Sequence, residues 1–123
     1  MHGRGLTIIF RGPKYPVFVV SNDRLFPAFN LKQLAIACLA STPTAGKSYV
    51  QVIDTTGEEF WYSPESRALS PGFSFKRWTK KRIVETFNHS SNAMELMKEY
   101  PVKSLSIKRL DKIIYDICEL LTS

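Results

Sequence analysis

The chain has 123 residues, of which 44% are hydrophobic and 23% charged, the make-up of one ordinary globular domain spanning residues 1–123. Its longest unbroken apolar run, Leu34 to Ala40, is too short to cross a membrane, and only Leu6 to Phe10 is apolar near the N-terminus, too little for a secretory signal. Two cysteines, Cys38 and Cys118, do not make a disulfide framework. Each falls in an apolar helical pattern, the setting of a buried free thiol in a cytoplasmic protein.

In chain order, Leu6–Phe10 and Pro16–Val20 are β-branched apolar runs separated by Gly12-Pro13 and Lys14-Tyr15. They read as a hairpin of two central strands covered on both faces. Ser21 to Arg24 is turn chemistry. A first helix follows, with Asn30 as cap, Gln33 at the capping-box spacing and Phe29 and Leu34 at the staple positions. Leu31, Leu34, Ala35, Cys38 and Leu39 share its apolar face, and Ser41-Thr42-Pro43 ends it.

The next segment, Ser41 to Ser48, ends in Gly-Lys-Ser and imitates a phosphate-binding loop. Ser41 stands where that motif has its first glycine, and the order is helix to strand rather than strand to helix, so nucleoside triphosphate binding is rejected. Strands Tyr49–Asp54 and Glu58–Tyr62 flank Thr55-Thr56-Gly57, a hairpin loop with glycine at a position suited to positive φ. Alternation puts Phe60 and Tyr62 on one sheet face and Trp61 on the other. With both faces covered, all three are core. With one face open, an exposed aromatic would resemble a single-strand binding platform. From Ser63 to Phe75 the chain reads as irregular.

The region that dominates the charge comes next. Between Arg67 and Arg82 lie six Lys/Arg and no Asp or Glu, and the remaining 11 basic residues match the 11 acidic ones. The net charge of +6 therefore resides in this window. A helix over Lys80–Asn88 is expected, capped by Thr79, stapled by Trp78 and Ile83, with Ile83, Val84 and Phe87 inward. Its first three positions are Lys80, Lys81 and Arg82, cations at the end of the helix dipole that favours anions. Free amides and cations together suit a phosphate or carboxylate. Lys76, Arg77, Trp78, Lys80, Lys81 and Arg82 are therefore the candidate anion- or nucleic-acid-binding residues. Trp78, with Phe73 or Phe75, is a candidate for base stacking beside the phosphate contact, against the alternative that all these rings are core anchors.

A short third helix is expected from the Asn92/Glu95 capping-box spacing, with Ala93, Leu96, Met97 and Tyr100 apolar, stopped by Pro101. A last helix is expected with Ser104 or Ser106 as cap and a stripe through Ile107, Leu110, Ile113, Ile114, Ile117, Cys118 and Leu121. The order predicts an α+β domain: a mostly antiparallel four-stranded sheet (ββαββ) followed by two or three packing helices.

Chemistry is sparse. His2 and His89 read as terminal and turn residues, and no Cys or His pair has zinc spacing. Asp54, Glu58 and Glu59 lack the lysine expected behind nuclease carboxylates and read as a charged hairpin tip. No catalytic residue, metal site or cofactor is assigned. The leading expectation is a non-enzymatic binding module for an anionic partner, nucleic acid first. The alternatives are a protein-interaction or self-assembling domain that partners another protein or its own copy, and a small enzyme acting on an anionic substrate.

Overall fold

The computed structural model describes residues 2–3, 5–73 and 76–122. It is an α+β fold: strands β1 (His2–Gly3), β2 (Leu6–Ile8), β3 (Val17–Ser21) and β4 (Arg24–Ala28), helix α1 (Leu31–Leu39), strands β5 (Val50–Ile53), β6 (Glu59–Ser63) and β7 (Ala68–Pro71), then helices α2 (Lys80–Asn88), α3 (Ser91–Leu96), α4 (Ser104–Ile107) and α5 (Leu110–Leu121). Among the described residues the strands form one mixed sheet in the order β1-β2-β7-β6-β5-β3-β4. Six of them are at least three residues long and β1 is a two-residue edge. The class is as expected; the four-stranded ββαββ arrangement is not.

The differences have identifiable causes. The expected hairpin between the first two apolar runs does not form. β2 pairs in parallel with β7, Thr7 opposite Ala68, while β3 pairs with β4 and β5. β4 contains Pro27, which reads as a breaker but sits here on an edge strand, where its missing N–H costs no ladder bond to a second neighbour. β7 lies inside the segment expected to be irregular, because Ala-Leu-Ser-Pro carries little strand propensity of its own. It is held between β6 and β2.

Two layers of apolar side chains sandwich the sheet. On one face Val17, Val19, Val50, Val52, Phe60, Tyr62 and Leu69 pack with Leu34, Ala35 and Cys38 of α1. On the other, Phe18, Val20, Leu25 and Ile53 pack with Trp78, with Ile83, Val84 and Phe87 of α2, with Ala93 of α3, and with Ile113, Ile114, Ile117 and Cys118 of α5. The expected face of α1 is otherwise correct, but Leu39 is exposed. Phe29, expected to staple onto Leu34, instead meets Tyr115 of α5 edge-on, ring centroids 6.1 Å apart.

α3 begins earlier than expected. Ser90, not Asn92, caps it by accepting from Ala93 N–H. Asn92 instead clasps the edge strand, accepting from Leu25 N–H and donating to the Leu25 carbonyl. Met97 is the left-handed cap residue and is exposed, and Tyr100 is buried beyond the helix. The single last helix is two: α4 starts at Ser104, and α5 starts after Arg109 without a side-chain cap, leaving Ile107 exposed at the end of α4.

Candidate functional site

α2 starts where its sequence predicts. Thr79 is extended and its hydroxyl accepts from Arg82 N–H at 3.1 Å. Trp78 is 4% exposed and shares a cluster with Ile83, so it anchors the core rather than offering a stacking surface. The β5–β6 turn holds it from behind. Trp78 N–H donates to the Gly57 carbonyl at 2.8 Å, and Gly57 has φ +82. A Cβ there would lie 2.9 Å from the Trp78 carbonyl, so glycine is required on two counts.

The other five candidate residues, all cations, lie next to this anchor in sequence and have different surroundings. Lys76 is exposed. Arg77 donates to the Thr56 hydroxyl and lies 3.9 Å from Glu58. Glu58 is already engaged by Arg11, whose guanidinium holds it below the usual carboxylate range against the opposing effect of partial burial. Lys80 reaches the Leu105 carbonyl at 3.4 Å. Arg82 lies over the Trp78 ring, 3.8 Å from its centroid. Lys81 turns to a groove of about 320 Å³ between α2 and α4, with Val84, Glu85, His89, Glu99 and Val102. These contacts explain how a helix tolerates three cations in its first turn: Lys80 meets a carbonyl dipole and Arg82 an aromatic face, each favourable to a cation.

Beyond the candidates, the structure brings in residues that the sequence places elsewhere. Glu59 is 8% exposed and faces the same side as Trp61 and Trp78. Its carboxylate accepts from Trp61 Nε1 at 2.6 Å, Trp78 Nε1 at 2.9 Å and Gln51 Nε2 at 3.3 Å. Expected at a charged hairpin tip, Glu59 instead links both tryptophans of the chain. Trp61 in turn stacks on Tyr49, centroids 4.1 Å apart and planes at 19°, and meets Phe73 edge-on at 5.3 Å. Gly72 lets the chain pass Trp61, since a Cβ would lie 2.6 Å from its Nε1. Lys47 lies 5.4 Å from the Tyr49 ring centre. A continuous line of contacts thus runs from Lys47 through Tyr49, Trp61, Glu59 and Trp78 to Arg82, with Phe73 beside it. The alternation of β6 was the signal for this; Tyr49 and Lys47 gave none, because their placement depends on strand register. Phe75, the other candidate stacking ring, lies outside the described residues.

Two groups bearing on chemistry lie apart from this line. Tyr100, Lys108 and Lys112 converge on Asp116 beside a cavity of about 530 Å³. Partial burial raises the Asp116 pKa, and these donors outweigh it and leave the carboxyl below its usual value. The thiols of Cys38 and Cys118 are pushed up to about 12 by burial, far from a nucleophile's range. Among the described residues no three His, Cys, Asp or Glu side chains converge as a metal would need, and no helix is long and apolar enough to cross a membrane. Comparison of the chain with known protein families, with curated proteins and with solved structures gave no match.

Proposed function

We propose that this protein is a non-enzymatic binding module whose basic helix start docks an anionic partner, with nucleic acid as the first choice. One observation carries the reading. Of Arg77, Lys80, Lys81 and Arg82, only Arg77 comes within ion-pair distance of a carboxylate among the described residues, and that carboxylate is already held by Arg11. Lys80 and Arg82 are ordered by a carbonyl dipole and a ring, and Lys81, though it shares a groove with Glu85 and Glu99, is within ion-pair distance of neither, which favours a polyanion as partner. Phosphate contacts of this kind carry affinity and orientation rather than sequence information. Two buried unpaired thiols support a cytoplasmic setting.

The test is fluorescence anisotropy of labelled DNA and RNA across a salt series, with wild type beside Lys80→Glu/Lys81→Glu. The expected result is binding whose log–log salt slope is about −0.7 (single strand) to −0.9 (duplex) per phosphate neutralised, and which the double variant loses. Binding that is flat in salt or kept by the variant would sink the reading.

The second reading, a protein-interaction or self-assembling domain, is favoured by the exposed Met94, Met97, Val102 and Ile107 around α3 and α4. It expects a concentration-dependent mass that survives high salt. A small enzyme acting on an anionic substrate is the third. The α2–α4 groove supports it by combining Lys81 with Glu85, Glu99 and His89, and His89 Nδ1 sits 2.8 Å from the Glu85 carbonyl.

A further inference from the structure

The sheet face opposite α1 is only half covered. α2, α3 and α5 pack over β3, β4 and β5, whereas on β6 and β7 the same face carries Trp61, Ser63, Ala68 and Ser70, all only partly buried. The Tyr49–Trp61–Phe73 row lies on this open half. Trp61 is held in place from three directions, by Tyr49 stacking, by the Glu59 carboxylate and by the close pass of Gly72. Phe73 is the opposite case: the residue is 79% exposed at the end of the row, with Lys47 at the far end and Lys76 three positions on in the sequence. An apolar ring held open at the end of a face that carries Ser63 and Ser70, with Lys47 at the other end of the row, is poorly suited to a protein hot spot, which needs apolar surroundings that exclude water. It suits a nucleobase, which offers an aromatic face, polar edges and a neighbouring phosphate at once.

On the anion-docking reading above, on which this rests, we infer that the partner is a single-stranded nucleic acid, with a base stacked on Phe73 and its phosphates drawn to the cations flanking the row. A duplex keeps its base faces inside its own stack, and reading its major groove takes a protruding helix or ribbon. At the start of α2, Trp78 is buried in the core and is not offered to a groove. An open sheet face with a fixed aromatic row and one exposed ring presents itself to unpaired bases instead.

The experiment uses the full chain and fluorescein-labelled oligo(U) and oligo(dT) of about eight nucleotides, a span within that of one small single-strand site. A mixed-sequence duplex carrying the same label is the comparison. Wild type, Phe73→Ala and Phe73→Tyr are measured by anisotropy, and mass is followed over a concentration series. The expected result is single strands bound more tightly than the duplex, an approximately ten-fold or greater loss in Phe73→Ala, and retention in Phe73→Tyr. Because Phe73 is exposed, its truncation leaves the core untouched. Duplex bound as tightly as single strand, with Phe73→Ala unchanged, would overturn this inference and leave the anion-docking reading standing. Absence of any oligonucleotide binding would overturn both. A dimer that Phe73→Ala abolishes, without oligonucleotide binding, would assign the row to a second copy of the chain instead.

Discussion

Glu59 shows how much one side chain can settle. It accepts three neutral N–H donors, and two of them come from the only tryptophans in the chain. An amide at this position would offer one acceptor oxygen and turn an NH₂ group toward an indole N–H, leaving a buried donor unpaired at a cost of about 1–3 kcal/mol. Glu59→Gln is therefore expected to lower the stability measured by urea unfolding by about 2 kcal/mol. It should also shift the tryptophan emission of the folded state, since one of the two indoles loses its acceptor. A variant as stable as wild type, with unchanged emission, would mean the carboxylate is not what fixes the two rings. Thr79, Trp78 and Gly57 were legible in the sequence because capping, stapling and positive φ are local chemistry. Glu59 was not. Read beside Asp54 and Glu58 it looks like one more charge at a turn, and only the register of β6 sends it inward beneath the indoles.

The α2 helix carries two opposed demands, and they can be separated by substitution. Thr79→Ala removes the hydroxyl that accepts from Arg82 N–H, at a cost of about 1 kcal/mol, read as a lower thermal midpoint. Lys81→Glu replaces a cation with an anion where the helix dipole favours the anion, a gain of about 0.3–1 kcal/mol. It also places the new carboxylate one helical turn from Glu85, a like-charge pair that costs about 0.2–0.5 kcal/mol. The two nearly cancel, so the expected change in thermal midpoint is within about 1 °C of wild type while polyanion binding falls. A clear loss of stability would assign Lys81 a structural role in the α2–α4 groove. The bounds of α2, and the inward set Ile83, Val84 and Phe87, were readable because an amphipathic period and a cap agree over nine residues. β4 and β7 were not, since a proline in one and weak propensity in the other conceal strands that only their neighbours enforce.

At the scale of the whole molecule, β3 is the shared wall. Val17 and Val19 belong to the layer under α1, and Phe18 and Val20 to the layer under α2 and α5. Each layer also holds one buried cysteine, Cys38 in the first and Cys118 in the second, where the thiol donates to the Val17 carbonyl at 3.3 Å. With alternate residues of one strand committed to both layers, loss of either exposes the wall of the other, and opening is expected to be cooperative. In Cys38→Ala and Cys118→Ala variants of matched stability, the remaining thiol should react with a disulfide reagent at the same slow rate in both. Faster reaction of Cys38 would show the α1 layer opening by itself. The α+β class was readable from the order of apolar periods, but the sheet order was not, because pairing across tens of residues leaves no trace in any local window.

The parallel pairing of β2 with β7 also sets a sequence of events during synthesis. The chain leaves the ribosome N-terminus first, so Leu6–Ile8 emerges about sixty residues before Ala68–Pro71, the strand it must lie against. β3 and β4 can zip together within a few residues of emerging, β5 joins β3 once α1 has been made, and β6 and β7 each meet the preceding strand across a short connection. β2, which pairs with β1 as soon as both are made, thus waits longest for its second neighbour. β7 has two duties in consequence: it completes the β5–β6–β7 meander, and it is the template that recovers the waiting N-terminal strand.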